Sequence, residues 1–151
     1  MSIHLKSLFN AKILVDSPIE IGHVGSGIRR VIPILGGTFE GPLLKGIVLP
    51  GGADYQLIRN DGVTELLAHY TIQTDDGVPI YVVNQGYRHG PKEIMEKIIR
   101  GESVPNHSYY FITSPKFETG SEKYDFLNKS IFVGKGVRTP ADVQIEFKLV
   151  E

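Results

Sequence analysis

The sequence predicts an all-β domain, namely a closed antiparallel β-barrel of eight or nine strands with one short helix. Three observations lead to this prediction. Apolar residues recur with a period of two in many short segments, turn-forming dipeptides separate these segments, and one segment alone has the period of a helix. Many short antiparallel strands within 151 residues favour a barrel or a sandwich. Residues 1–151 are expected to form a single domain.

Nine segments are predicted to be strands. The clearest is DVQIEFKLV (142–150), in which apolar residues from Val143 to Leu149 alternate with Gln144, Glu146 and Lys148. Such alternation is typical of an antiparallel strand with one buried face and one face in water. The other predicted strands are residues 11–16, 28–34, 43–49, 55–59, 64–74, 79–87, 108–113 and 129–134.

Glycine marks the turns and bends between these strands. Asp61-Gly62 and Asp76-Gly77 predict two-residue hairpin turns, because type I′ turns need φ > 0 at both central residues. The segment GGTFEGPLLKGIVL (36–49) is predicted to be one bent barrel strand, whose glycines let the sheet coil. A glycine-rich phosphate-binding loop is excluded here, since no G-x-x-x-x-G-K-[ST] motif occurs and GHVGSGIRR does not open a helix.

One helix is predicted over residues 91–100. Pro91 stands at the first helical position, Glu93 lies in the first turn, and Gly101 follows the last residue. Its apolar residues form one stripe, which should pack on the sheet or close one end of the barrel. The stripe consists of Ile94, Met95, Ile98 and Ile99.

Four stretches of the sequence resemble a known family. They are RRVIPILGGTFEGPLLKGIVLPGGADYQ, YTIQTDDGVPIYVVNQGYRHGP, YYFITSPKFETGSEKYDFLNKSIFVGKG and the closing strand. Together they resemble domain of unknown function 3237, also called UPF0311, over nearly the whole chain after residue 10. Tyr55 departs from the tryptophan expected in many relatives. The resemblance implies a small β-barrel, similar to the calycin or allene-oxide-cyclase-like barrels, and it implies no particular reaction.

Composition excludes several classes of function. The formal net charge is −1 and like charges form no block, so nucleic acid and anionic membranes are not expected as partners. The absence of cysteine excludes disulfides, thiolate metal sites and a cysteine nucleophile. The five histidines lack metal-ligand spacing, and no serine-nucleophile motif occurs, so neither a metal nor another cofactor is expected. No signal peptide or membrane-spanning run is recognised, and a cytoplasmic protein is expected.

The predicted Asp76-Gly77 turn assigns residues to the two faces of its hairpin. A two-residue loop places Tyr70 opposite Val83 and Ile72 opposite Tyr81. Tyr70, Tyr81 and Tyr87 then share the more apolar face, which is predicted to line the barrel. A cavity lined by tyrosines can hold a small organic molecule, whereas a filled core with hydroxyls at the rim is the alternative.

The candidate site residues are carboxylates, arginines and tyrosines within the family-like stretches. Glu40 and Glu118 are predicted as the acid or base, since a carboxylate aimed into an apolar barrel has a raised pKa. Arg29 and Arg30, like Arg88, are candidate anchors for an anionic group. The predicted ligand-binding residues are Tyr70, Tyr81, Arg88, Asp54, Tyr124 and Asn128, with Asp54, Tyr124 and Asn128 nearer the rim.

Two functions from different classes therefore remain open. The first is a barrel that binds one small hydrophobic or amphipathic molecule. The second is an acid/base enzyme of the isomerase, cyclase or lyase type. A third, plainer possibility is a filled structural barrel. Strands such as IYVV (80–83) and IFV (131–133) are apolar on both faces, which predicts a homodimer or higher homo-oligomer.

Overall fold

The computed structural model describes all residues, 1–151, and its strands form one continuous sheet. Ten strands, one α-helix and one short 3-10 helix (Asp125–Asn128) are present. The strands and the helix α1 are, in chain order, β1 (Leu5–Val15), β2 (Ile19–His23), β3 (Gly27–Glu40), β4 (Gly46–Val48), β5 (Ala53–Arg59), β6 (Thr64–Thr74), β7 (Pro79–His89), α1 (Lys92–Ile99), β8 (Tyr110–Glu118), β9 (Ile131–Arg138) and β10 (Asp142–Val150).

The sheet closes on itself. Antiparallel pairs run from β1 through β10, β9, β8, β7 and β6, and the ring is completed through β3, which pairs with β1. The short strands β4 and β5 fill one position between β3 and β6, while β2 lies along the first half of β3. The result is a closed eight-strand antiparallel barrel with two additional strands, which confirms the predicted fold class. Because the barrel is closed, each of its strands has a neighbour on both sides, although β8 and β9 pair only at Ile112–Lys135 and Thr113–Gly134.

The prediction of one bent strand over residues 36–49 is wrong. The strand β3 ends at Glu40, and the chain then turns back so that β4 runs antiparallel to it, with Phe39 opposite Gly46. Pro42 explains the break, since proline donates no hydrogen bond to a sheet. The glycines instead allow close packing of neighbouring strands: a Cβ on Gly46 would stand 2.0 Å from the carbonyl oxygen of Gln73.

Gly37 is the position where a side chain is expected to do most harm. Its φ is +140°, and a Cβ would stand 2.0 Å from the carbonyl oxygen of Lys12 on β1. Gly37→Ala should therefore reduce the free energy of unfolding by about 2–4 kcal/mol, through backbone strain and overpacking. Urea denaturation measures this change. Gly120→Ala is the control, since nothing lies within 4 Å of that position; equal stability of the two variants would contradict the prediction.

Both Asp-Gly turns are three-residue turns, which differs from the prediction by one residue. In the second, the Gly77 amide donates to Thr74 O at 2.9 Å and the Thr74 amide donates to Val78 O at 3.0 Å. Only the glycine has positive φ, +87° at Gly77, as in a type I turn followed by a bulge. The first turn repeats these bonds between Arg59, Gly62 and Val63. Tyr70 is consequently opposite Val82, and Tyr81 is opposite Thr71.

One end of the barrel is filled by aromatic side chains. Phe9, Phe117 and Phe147 contact one another with ring centroids 5.0–5.8 Å apart, and Phe39 and Phe132 extend the group. The 3-10 helix and the residue before it cover this end with the buried side chains of Leu127 and Tyr124. We refer to this part as the closed end. It gives the barrel a packed core.

Asp76 fastens the segment that covers the closed end. Its carboxylate accepts hydrogen bonds from Thr74 Oγ1 (2.5 Å), Lys123 Nζ (2.9 Å) and Tyr124 OH (2.9 Å). These bonds, led by the one from Thr74, hold the pKa of Asp76 well below its usual range. The hairpin turn β6–β7 and the covering segment are thereby joined.

Helix α1 lies at the opposite end. Met95 and Ile98 are its buried residues, and Gly101, with φ +78°, follows its last turn. The carbonyl of Ile99 accepts a hydrogen bond from the Arg30 guanidinium at 3.4 Å, which ties the end of the helix to β3. The predicted helix is confirmed with ends one residue shorter. No helix is long and apolar enough to cross a membrane.

Candidate functional site

An inner cavity occupies the barrel between the closed end and α1. Its volume is about 50 Å³, and most of its lining is apolar, including Ile34 and Ile145. At about 10–15 Å³ per water molecule this is room for a few waters. Polar side chains nevertheless converge on it from five strands. They are Asp54, Gln56, Tyr70, Asn84, Arg88, Thr113 and Arg138.

Strand register brings these polar groups to one face. Asp54 is opposite Ala68, which in turn is opposite Asn84. Arg88 lies four residues beyond Asn84 on β7 and therefore shares its face. Thr113 joins them from β8, where its neighbour across the ladder is Gly86. The alternation of β7 thus directs Asn84 and Arg88 inward.

Several of these buried groups have no hydrogen-bond partner. The unpaired atoms that line the cavity are Gln56 Oε1, Asn84 Oδ1, Arg88 Nε and Thr113 Oγ1. Gln56 is 1 % exposed and Arg88 is 2 % exposed, so bulk water does not satisfy them. Buried polar groups in folded proteins are almost always paired, since an unpaired group costs about 1–3 kcal/mol. Two unpaired amide oxygens, one unpaired hydroxyl and one unpaired guanidinium N–H therefore belong to residues that line the same small space.

Asp54 is the carboxylate of the cavity. Its Oδ2 accepts from Gln56 Nε2 at 3.0 Å, and its Oδ1 accepts from the backbone amide of Leu67 at 3.0 Å. The second bond replaces a rung of the β5–β6 ladder, which is interrupted between Asp54 and Leu57. Part of the residue reaches the surface, but burial of the carboxylate raises its pKa above the usual value. The two hydrogen bonds and the charge of Arg88 oppose that rise.

Arg88 is a buried cation without an anionic partner. The ion pairs of the structure involve other arginines, namely Arg30, Arg59 and Arg100. Its guanidinium carbon lies 5.7 Å from the centre of the Phe111 ring. That ring fits because residue 136 is glycine: a Cβ there would stand 2.6 Å from the ring. Burial lowers the pKa of Arg88 to about 10, although the charge of Asp54 acts in the opposite direction.

A wider pocket adjoins the inner cavity beneath the end of α1. It has a volume of about 310 Å³ and shares Val15, Ile32, Arg88 and Arg138 with the inner cavity. Its outer wall includes Ile99 of the helix and the segment 16–18. We refer to it as the mouth pocket. A ligand larger than a few atoms has room in the mouth pocket while one of its groups reaches the inner cavity.

The structure brings together three of the predicted site residues and separates the others from them. Asp54, Tyr70 and Arg88 line the inner cavity. Tyr70 is 4 % exposed, and burial, with a contribution from the negative charge of Asp54, raises its pKa. A two-residue turn places Tyr87 on the inner face of β7 and hence Arg88 on the outer face, whereas the observed three-residue turn places Arg88 inside.

The other five lie outside the inner cavity. Glu40, Glu118 and Tyr81 are exposed on the outer wall, because Phe39, Phe117 and Val82 beside them point inward and side chains alternate along a strand. Tyr81 and Glu118 adjoin Asn128 in a shallow outer depression. Asn128 bonds the backbone of Thr119 there. Tyr124 is buried in the closed end.

Sequence reasoning missed Gln56, Asn84, Thr113 and Arg138. A two-residue turn puts Tyr81 on the inner face and therefore, by alternation, Asn84 on the outer face. A turn one residue longer places Asn84 and Arg88 inside together. Gln56 stands two residues after Asp54, which is the signal for a shared face. No comparable signal marks Thr113 or Arg138.

Comparisons with known proteins agree with this barrel. A family model described as "Protein of unknown function (DUF3237)" matches residues 3–150. A UPF0311 protein of Rhodopseudomonas palustris is 42 % identical over 145 residues, which cover 96 % of this chain and 95 % of that protein. A crystal structure of a conserved protein of unknown function from the same organism superposes with a TM-score of 0.97, at 41 % identity over 100 % of this chain and 99 % of that one.

Two further relatives bear on the fold and on the chemistry. The crystal structure of a beta-barrel like protein from Acinetobacter baumannii has a TM-score of 0.88, at 37 % identity over 100 % of this chain and 98 % of that one. A more distant relative, 27 % identical over 125 residues, is the hydroalkoxylation enzyme phnH of Penicillium herquei; the match covers 83 % of this chain and 68 % of that enzyme.

Proposed function

Because this chain belongs to the DUF3237 family, whose description names no reaction, we propose a function from the two cavities. The barrel binds a small hydroxylated organic molecule whose hydroxyl enters the inner cavity while its larger part lies in the mouth pocket. The observation that carries this proposal is the set of unpaired acceptors on Gln56, Asn84 and Thr113, beside the unpaired donor of Arg88. A ligand hydroxyl both donates and accepts, so it satisfies groups of both kinds. The apolar lining supports a carbon skeleton.

The proposal predicts that the barrel distinguishes a ligand with a hydroxyl from the same ligand without one. The probes are 3-(4-hydroxyphenyl)propanamide and 3-phenylpropanamide. The first is expected to bind at least about tenfold more tightly, since a site with buried polar groups rejects an analogue that leaves them unpaired. Titrations followed by amide chemical shifts give both dissociation constants.

The matched variants lie next to each other on β7. Asn84→Leu removes a buried acceptor of the cavity and should abolish the preference for the hydroxyl. Gln85→Leu changes an exposed side chain of the outer wall and should keep it. Equal binding of the two probes by the unmodified protein would contradict the proposed function.

A second candidate function, proton-transfer catalysis, is favoured by the position of Asp54. A carboxylate with a raised pKa beside a cavity and a buried arginine is a suitable general acid or base. The distant relative is named for hydroalkoxylation, the addition of an O–H group across a C=C bond. In such an addition Asp54 would take the hydroxyl proton as the C–O bond forms, and return a proton to the neighbouring carbon.

Arg88 has a defined part in this second function. When the C=C bond is conjugated to a carbonyl, attack by the hydroxyl oxygen moves an electron pair onto the carbonyl oxygen, which becomes an enolate. A buried guanidinium stabilises that negative oxygen strongly, because the surroundings have a low dielectric constant. The enolate then collapses as carbon takes the proton from Asp54, so atoms and charge balance over the cycle.

A further inference from the structure

Three arginines meet where the inner cavity joins the mouth pocket. Arg30, Arg88 and Arg138 all line the mouth pocket, and Arg88 and Arg138 also line the inner cavity. They come from three different strands, β3, β7 and β9. We call them the arginine triad.

The members of the triad are close enough to repel one another. Burial first, and then the charge of Arg30, lowers the pKa of Arg138. Burial also lowers the pKa of Arg88, and the charges of Arg138 and Arg30 add to that effect. Like charges brought together in a part-buried site destabilise the empty protein unless an anion compensates them.

The acidic groups nearby leave the triad incompletely neutralised. Glu20 accepts from Arg30 Nε at 3.0 Å, on the outer side of the pocket. Asp16 also lines the pocket, and its carboxylate accepts from the backbone amide of Ser17. Arg138 donates to the backbone carbonyls of Thr139 and Asp142. The carboxylate of Asp142 also favours the charged form of Arg138, but it is shared with Lys12 Nζ at 3.8 Å and with Thr139 Oγ1. Arg88 has no carboxylate within ion-pair distance, and burial raises the pKa of Asp54, the acidic group that lines the inner cavity beside it.

We propose that the ligand of this barrel is an organic acid whose carboxylate or phosphate group is held by the arginine triad while its hydroxyl enters the inner cavity. This inference rests on the proposed function and adds the class of ligand to it. Guanidinium groups recognise carboxylate and phosphate through paired, charge-assisted hydrogen bonds. Arg88 and Arg138 offer such donors on the wall that the two cavities share, and Arg30 offers them in the mouth pocket, so one molecule can contact both cavities. The acid group thereby provides the anionic partner that Arg88, a buried cation, lacks in the protein itself.

The test compares an anion with its neutral analogue. The probes are 3-(4-hydroxyphenyl)propanoate, its amide 3-(4-hydroxyphenyl)propanamide, and 2-(4-hydroxyphenyl)ethyl phosphate, with dissociation constants from calorimetric titration. At least one anion is expected to bind at least about tenfold more tightly than the amide, since a charged partner in a part-buried site contributes more than a neutral one. Which of the two anions binds better identifies the acid group as carboxylate or phosphate.

Substitutions test whether the preference for the anion depends on the arginine triad. Arg138→Met should remove the preference for the anion. If this substitution disrupts the β9–β10 turn, Arg30→Met is the second variant and should have the same effect on binding. Arg29→Met is the control, because Arg29 is on the outer face of β3 next to Arg30 and its loss changes the net charge equally. NMR spectra of the backbone amide groups verify that each variant is folded.

The outcomes separate the two proposals. Equal affinity for the acids and the amide, or a preference that survives both triad variants, overturns the acid-binding inference and leaves the hydroxyl site in place. The acid-binding inference is also overturned if Arg29→Met removes the preference for the anion, because the preference would then depend on net charge and not on the arginine triad. If no hydroxylated probe binds at millimolar concentration, the proposed function itself is contradicted.

Discussion

Replacing Arg88 by methionine is expected to make the protein more stable and to abolish ligand binding. The wild-type guanidinium is buried, its Nε is unpaired, and burial has already lowered its pKa to about 10. Methionine keeps the unbranched chain of arginine as far as Nε, can pack against the ring of Phe111, and requires no hydrogen bond. Replacement of buried charges by apolar residues of similar size often stabilises a protein by about 1–4 kcal/mol.

The opposite signs of the two effects make this prediction specific. A residue retained for stability would weaken the fold when replaced, whereas a residue retained for a ligand weakens only the binding. Urea denaturation at about pH 7 gives the free energy of unfolding, and titration with 3-(4-hydroxyphenyl)propanoate gives the affinity. Arg88→Lys is the matched variant: it keeps a buried positive charge, so it should gain no stability and should keep part of the affinity. A large loss of stability in Arg88→Met would show that Arg88 supports the barrel instead.

Asp54→Asn is expected to abolish any catalysis while leaving the barrel folded. An asparagine can keep the bond from the Leu67 amide through its carbonyl oxygen. Its amide group can then donate to Gln56 Oε1, which has no partner in the wild-type protein, once the Gln56 amide is rotated. The variant cannot take up a proton, so loss of a general base should reduce the rate by about 10²–10⁴-fold.

The stability of the same variant should depend on pH in a defined direction. The pKa of Asp54 is raised in the folded state, so the wild-type protein is stabilised relative to its unfolded chain at low pH. That contribution is full below the ordinary pKa of 3.8 and is lost as pH rises through the higher folded value. Asp54→Asn has no such loss. The stability of the variant relative to wild type should therefore increase as pH rises from 3.8.

A hydroxy-enone tests the catalytic part. Ring closure of 1-(2-hydroxyphenyl)prop-2-en-1-one to chroman-4-one is an internal addition of O–H across C=C, and absorbance follows it. The wild-type protein should accelerate the closure, Asp54→Asn should not, and the rate should fall at low pH as Asp54 is protonated. Glu40→Gln is the control, because Glu40 lies on the outer wall. Equal rates for wild type and Asp54→Asn would exclude Asp54 as the base.

The fold was predictable because its signals are local. Alternation in strands such as 142–150, one stripe of apolar residues in α1 and Asp-Gly turns together specify many antiparallel strands and one helix. The exact length of the hairpin turn, which decides the face of each side chain, was predicted wrongly. The dipeptide Asp-Gly occurs in both two-residue and three-residue hairpin turns. A two-residue turn places Tyr81 in the interior and Asn84 on the outer wall, whereas the observed three-residue turn reverses both placements.

The candidate site was harder to predict from the sequence than the fold, because it also depends on which face each side chain occupies. Glu40 and Glu118 are carboxylates within the family-like stretches and were predicted to be aimed into the barrel, yet their neighbours Phe39 and Phe117 are the residues that point inward. Arg88 and Asp54 were named, but their meeting depends on pairing across β5, β6 and β7. The absence of a partner for Arg88, which carries the argument for a ligand, is a property of the packed barrel and leaves no trace in the order of residues.

The position of β10 has a consequence for synthesis of the chain. This last strand lies between β1, the first, and β9, and backbone bonds join His4 to Glu151. On the ribosome, β1 to β9 can form only an open, curved sheet with two unpaired edges, since the missing strand is still inside the exit tunnel. Closure of the barrel, and with it assembly of the cavity, waits for release of residues 142–150. Until then the nascent chain exposes the kind of strand edge that chaperones protect and that other chains can capture.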